Sequence, residues 1–153
     1  MERPDKIETI KSKFSLMPAK LGDCELMFRL QKLDGAEINT QDVEQIVRLE
    51  EYRKIFVPEE IEVVYHGDVP VGRLRVVRGD ELYVGGMQIL PEYRGKGIGT
   101  AILESLIEEA GKSAKPIRLE VFHENLQALS LYEKVGFKIV DENEQQKIMI
   151  YTP

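Results

Sequence analysis

From Ile61 to Leu90 apolar residues recur at every second position, and from Ile98 to Ile107 they recur at helical spacing. That switch of period limits the folds open to this chain more than any other feature. The joint between the two regimes is the stretch LPEYRGKGIGTAILESL, Leu90 to Leu106, with glycine at positions 95, 97 and 99. Beyond Pro116 the segment IRLEVF returns to a strand pattern. A strand, a helix of this length and a second strand imply a right-handed parallel crossover, so the strand ending near Leu90 and the strand from Ile117 lie side by side. Glycine in a helix costs roughly 0.5–1 kcal/mol relative to alanine, so three of them at a helix start need a steric or a functional reason.

The remaining elements follow by the same reading. FSLMPA is a short strand, and Asp23 caps a helix carrying Leu26, Leu30 and Leu33. A second helix starts at Thr40, whose hydroxyl caps it, with Val43, Ile46, Val47 and Ile55 on its inner face; Pro58 and Glu59 end it. IEVVYH, PVGRLRVV and ELYVGGMQIL, joined at Gly67-Asp68 and Gly79-Asp80, form an antiparallel meander. The helix after the glycines places Ile98, Ile102, Leu103, Leu106 and Ile107 on one side and closes at Gly111. A last helix runs from Asn125 to Val135, stops at Gly136, and is followed by FKIV and KIMIY as a closing hairpin. The class is α/β with a mixed, mostly antiparallel sheet, about four helices and no internal repeat.

At 153 residues the chain fits one domain that buries about two thirds of its unfolded surface. Its net charge of −6 argues against an extended phosphate-binding face, so nucleic acid is not an expected partner. Cys24 is the only cysteine, which removes an intrachain disulfide and a thiolate zinc site. No apolar run approaches the ~20 residues of a membrane span, and the charged start MERPDKIETIKSKF is unlike a signal peptide. The expectation is a cytoplasmic protein with no membrane partner.

Backbone N–H groups at the first turn of a helix lack partners and carry about half a positive charge, so they attract anions. Gly95, Gly97 and Gly99 leave those amides open to a phosphate, and Arg94 and Lys96 add full charges beside them. A phosphate-cradling G-x-x-x-x-G-K-[ST] loop is absent, since Gly97 follows Lys96. The dinucleotide pattern G-x-G-x-x-G is not matched by G-x-G-x-G after a meander. Glycines that merely ease helix-sheet packing are the remaining alternative.

The stretch Q-I-L-P-E-Y-R-G-K-G-I-G resembles the signature [RQ]-x-x-G-x-[GA] of the GNAT superfamily of N-acetyltransferases, matched by Arg94, Gly97 and Gly99. A second block, NLQALSLYEKVGF from Asn125 to Phe137, is similar to that family's later helix and the strand after it. The resemblance covers about Ile61 to Tyr151. It implies a twisted sheet splayed between two central parallel strands, and a single domain over 1–153 with 61–153 as the cofactor-binding core and 1–60 as the acceptor side. It implies acetyl-CoA as co-substrate, its diphosphate on the amides of Arg94, Gly95, Lys96, Gly97, Ile98, Gly99 and Thr100. The pantetheine arm would pair with backbone at Met87, Gln88 and Ile89 like an added strand. Asn125 resembles the family's cofactor-contacting asparagine and is equally a helix cap.

Amide formation needs a neutral amine, and an amine of pKa ~10.4 is neutral about once in 2,500 molecules at pH 7, a cost of about 4.6 kcal/mol. Glu81 stands thirteen residues before Arg94, the spacing at which histone-type members carry their general base. It also follows the Gly79-Asp80 turn, where an exposed residue is unremarkable. An ordinary glutamate is a far weaker base than the amine, so the role requires a raised pKa or a water relay. Tyr132 lies on the stripe Ala128, Leu131, Tyr132 and Val135, which turns its ring inward. The resemblance makes it the general acid toward the leaving thiolate. Proton donation from a phenol to a thiolate runs uphill by about 2 kcal/mol, so hydrogen-bond stabilisation of the developing charge is the stronger role. The resemblance also places the amide near Ile89 on the tetrahedral oxygen. His66 is expected to be solvated beside its turn, and His123 ends a strand by the cofactor.

Residues 31–60 hold eight acidic and four basic side chains, an excess that favours a cationic acceptor, although such charges also simply solvate helix faces. Tyr52 and Phe56, one turn apart, either line the acceptor pocket or pack. The resemblance implies transfer of an acetyl group to a primary amine of a small molecule or peptide. The rival function is a non-catalytic acyl-CoA-binding module, and the C-terminal hairpin offers an edge through which two chains can pair.

Overall fold

A computed structural model of the chain describes residues 8–11, 14–31 and 41–153. Among the described residues eight strands form one sheet, β1 Glu8–Lys11, β2 Phe14–Pro18, β3 Ile61–His66, β4 Val69–Arg78, β5 Leu82–Ile89, β6 Ile117–Phe122, β7 Lys138–Glu142 and β8 Gln146–Tyr151. Four helices accompany them: α1 Cys24–Gln31, α2 Val43–Ile55, α3 Ile98–Ser113 and α4 Leu126–Val135. The strand order is β1-β2-β3-β4-β5-β6-β8-β7. Gly67, at φ 59, supplies the left-handed residue that lets β3 turn into β4.

The expected crossover is present. β5 and β6 are parallel, with Leu82 opposite Ile117, Tyr83 opposite Arg118 and Val84 opposite Leu119. The register stops there, although β5 runs on to Ile89 and β6 to Phe122. β8 lies between β6 and β7, which leaves β7 at the edge of the sheet.

The chain divides into two compact units. One unit contains Val76–Gly85 and Gly97–Pro153; the other contains the described chain up to Arg75 together with Gly86–Lys96. In the first, α3 contacts β6 and α4, and buries Ile98, Ile102, Leu103, Leu106 and Ala110. β6 alternates, with Ile117, Leu119 and Val121 inside. Arg78 and Glu109 form a largely buried, two-pronged ion pair that ties the end of β4 to α3, with Nε to Oε2 at 2.6 Å and Nη2 to Oε1 at 3.0 Å. In the second unit α1 contacts α2, and Cys24, Met27, Phe28, Leu30, Leu49 and Tyr52 from these helices form one apolar cluster with Ile61 and Val63 of β3.

Several local expectations change. Asp23 does not cap α1; it ends a 3₁₀ turn over Leu21–Asp23, and its carboxylate accepts from Lys20 N–H at 2.8 Å. Leu33 and Thr40 lie outside the described residues, and the cap of α2 is Asp42, which accepts from Gln45 N–H at 3.2 Å. On α2 the expected inner residues Val43 and Ile55 are 76% and 73% exposed, and Val47 is exposed as well. The buried pair is Leu49 and Tyr52. Gly111 does not close α3, which continues to Ser113 and ends on Ala114 at φ 53. His66 is half-buried rather than solvated, its ring stacked on Phe14 at 4.8 Å.

Candidate functional site

β5 ends at Ile89, and Pro91–Tyr93 makes one 3₁₀ turn that closes with Arg94 N–H on Pro91 O at 3.2 Å. The Arg94 side chain turns back, Nε donating to the Ile89 carbonyl at 2.9 Å, which fastens the loop to the end of its own strand. Gly95 at φ 74 and Gly97 at φ 82 are left-handed, a conformation that costs a β-carbon-bearing residue roughly 1–2 kcal/mol. A β-carbon at Gly95 would meet no atom within 4 Å, so the backbone angle and not crowding asks for glycine. α3 then begins on Gly97 with no side chain capping it. The amide of Ala101 already donates to Gly97 O at 3.0 Å, so those of Ile98, Gly99 and Thr100 are the ones the helix leaves for another acceptor.

Tyr132 is the buried member of its stripe on α4; Ala128, Leu131 and Val135 are half-buried. Its ring meets Phe137 at 5.8 Å, and burial raises its phenol above the usual value, so the hydroxyl keeps its proton at neutral pH. Asn125 caps α4, accepting from Ala128 N–H at 3.2 Å. Glu81 does stand at the turn before β5, but it is paired: Arg118 Nε donates to its Oε1 at 2.7 Å. Arg118 also reaches Glu120 at 3.1 Å and lies over the Tyr83 ring at 4.5 Å, while the Tyr83 hydroxyl donates to Glu120 at 2.6 Å. His123 Nε2 is 2.8 Å from the Asn143 carbonyl, a loop contact.

Met87, Gln88, Ile89, Arg94, Gly95 and Lys96 belong to one compact unit; Glu81, Gly97, Ile98, Gly99, Thr100, Asn125 and Tyr132 belong to the other. The first of these units also holds features that periodicity did not single out. A cavity of about 490 Å³ is walled by α1 and α2, with Phe28, Tyr52 and Ile55 as apolar lining and Asp42, Glu44 and Glu51 against Arg48 as charged lining. Arg73 on β4 is only 4% exposed, and its Nη1 donates to Gln88 Oε1 at 2.7 Å. Tyr52 packs on Phe28 and Phe56 at 5.5 and 5.7 Å and also lines this cavity. An arginine in a V-x-R-x-R strand reads as solvent-facing; only the hydrophobic residues on the neighbouring strand hint otherwise.

Strand, left-handed glycine loop and uncapped helix follow one another along the chain, and the first amides of such a helix lack intrahelical acceptors. Residues 27–137 match the model of the Acetyltransferase (GNAT) family. The chain belongs to that family. It is 36% identical over 67 residues to the thialysine N-epsilon-acetyltransferase of Mus musculus, which spans 43% of this chain and 39% of that protein. It is 39% identical over 59 residues to the [ribosomal protein bS18]-alanine N-acetyltransferase of Escherichia coli, 38% of this chain and 40% of that one. The matches thus span about two fifths of these relatives' length. In fold it is similar to the PaiA N-acetyltransferase of Thermoplasma acidophilum, solved in complex with coenzyme A, at TM-score 0.71 and 21% identity over 92% of this chain and 99% of that one. Among the described residues no helix is long and apolar enough to cross a membrane.

Proposed function

We propose that this chain moves an acetyl group from acetyl-CoA to a primary amine by direct attack in a ternary complex. The observation that carries the reading is the start of α3, entered through left-handed Gly95 and Gly97 and left without a side-chain cap in a GNAT family member. A diphosphate would accept from the amides between Arg94 and Thr100, with Lys96 adding charge. The arm would run along Met87, Gln88 and Ile89, and the ending of the β5–β6 register at Val84 is consistent with an added strand at that level. Asn125 would contact the arm while capping α4.

In this reading Tyr132 donates a hydrogen bond to the sulfur as its C–S bond breaks, and its raised pKa suits a donor that stays protonated. The amide near Ile89 would hold the tetrahedral oxygen. Glu81 enters as the proton acceptor only through water, because its carboxylate is already engaged by Arg118. The names of the mouse and Escherichia coli relatives specify amine acceptors, a lysine-like side chain and an alanine, which supports a primary amine here too. Acetyl-CoA as co-substrate suits a CoA-containing compartment such as the cytoplasm.

Acetyl-CoA at about 100 times its Kd is expected to stabilise the fold by about 2.7 kcal/mol, read as a rise in Tm. Amines that serve as acceptors are expected to release free CoA thiol steadily. A Tm rise with no thiol release from any amine would leave a binding module, and no rise would overturn the assignment altogether.

A further inference from the structure

Along the loop from Pro91 to Lys96, Tyr93 alone is not exposed. Its ring meets two others, His66 at 5.6 Å and, edge-on, Phe14 at 6.4 Å. Phe14 and His66 are direct partners in the β2–β3 register, and their own rings stack at 4.8 Å. The start of β2 and the end of β3 thus form an aromatic seat, and the loop's one inward residue occupies it. All of these residues lie in the same compact unit as the loop up to Lys96.

The chain on either side of Tyr93 shows why this seat matters. Before it, backbone contacts fix the path: Leu90 N–H donates to Val71 O on β4 at 2.8 Å, and Leu90 packs on the apolar cluster of its unit. Gly72, next along β4, lies so close to β5 that a β-carbon there would stand 2.6 Å from the Gln88 carbonyl oxygen. After it, nothing comparable holds the chain. Gly95 and Lys96 are exposed, and no atom would lie within 4 Å of a β-carbon at Gly95. Their placement depends on Tyr93 and on the Arg94 side chain bonded back to Ile89.

We propose that Tyr93 is a positioning residue for acetyl-CoA: seated on Phe14 and His66, it holds the amides of Gly95 and Lys96 where the diphosphate is to be received. The proposal rests on the acetyl-transfer reading and adds residues to its cofactor site, two of them on strands to which that reading gives no part. The physical reason is preorganisation. A glycine loop already held in shape has less conformational freedom to lose when the cofactor binds, and the saving appears as affinity. Phe14 and His66 act through the Tyr93 ring and not on the cofactor.

The test measures the Kd of CoA by calorimetry and, by thiol release, kcat and the KM of each substrate. Tyr93→Leu is expected to raise the CoA Kd and the acetyl-CoA KM by about fivefold to tenfold, the scale of two lost ring contacts, with kcat and the acceptor KM within about twofold of wild type. Tyr93→Phe keeps the ring and is expected to restore the wild-type values. His66→Ala is expected to raise the CoA Kd less than Tyr93→Leu, and the double variant to bind no more weakly than Tyr93→Leu alone, because both substitutions break one contact. Should Tyr93→Leu not fold, His66→Ala carries the comparison, with the same split between KM and kcat. A CoA Kd unchanged in the folded variant, or additive losses in the double variant, overturns the positioning role while acetyl transfer stands. Wild-type protein that neither binds CoA nor releases thiol with any amine overturns the transfer reading itself.

Discussion

Tyr132 and Glu81 are the two side chains that the family resemblance offers for proton work, and their surroundings separate them. The Tyr132 phenol is buried and held protonated, whereas the Glu81 carboxylate is bonded to a guanidinium at 2.7 Å. A donor that acts mainly on charge developing in the transition state is worth roughly 2.7–4 kcal/mol when removed. Tyr132→Phe is therefore expected to lower kcat about 100-fold or more with the acetyl-CoA Kd little changed. Glu81→Gln, which leaves a water path to the amine, is expected to lower it less than about tenfold. Steady-state thiol release with both variants measures the contrast, and a larger loss from Glu81→Gln would restore Glu81 as the base. Tyr132 was legible because its helix has one apolar stripe and the ring sits within it. Arg73 was not, because alternation on β4 says which residues share a face but not that both faces of a strand inside the sheet are covered.

At the scale of elements the strands were the most legible parts, because period two leaves little freedom once turns at Gly67-Asp68 and Gly79-Asp80 fix the ends. Helix phase was less so. On α2 two stripes compete, Val43 with Val47, and Leu49 with Tyr52 and Phe56. The aromatic stripe faces inward, since Tyr52 meets both Phe28 and Phe56 and buries more surface than two valines would. On α3 the glycine rule pointed to Gly111, but the chain turns left-handed three residues later, at Ala114, whose N–H bonds Ala110 O. An alanine pays for that conformation where glycine does not. Ala114→Gly is accordingly expected to stabilise the protein by about 0.5–1 kcal/mol, a gain of a few degrees in Tm by calorimetry, with turnover unchanged. A loss of stability would mean that α3 does not end as described.

Across the whole molecule the architecture was readable from one meander and one crossover, while the division into compact units was not. The units exchange segments at Arg75, Gly85 and Lys96, inside strands or within the glycine loop, where sequence carries no composition shift. Both units bury ionisable groups whose charged forms are anionic. Burial raises the pKa of Cys24 and Tyr52 in one and of Tyr132 in the other. Because the folded values lie above the unfolded ones, the unfolded chain gives up these protons first as pH climbs. Stability is then whole below about pH 8.5, where an exposed thiol begins to ionise, and it falls as pH rises through the ordinary phenol value near 10 toward the folded values. Each tyrosine contributes up to about 1.4 kcal/mol per pH unit within its window. Chemical denaturation at a series of pH values from 7 to 11 is expected to give a flat stability followed by a decline, and Tyr132→Phe is expected to make the decline above pH 10 shallower by about one proton. A slope above pH 10 identical in both proteins would mean that Tyr132 ionises as freely in the folded chain as in the unfolded one, and the protonated donor assigned to it would be lost.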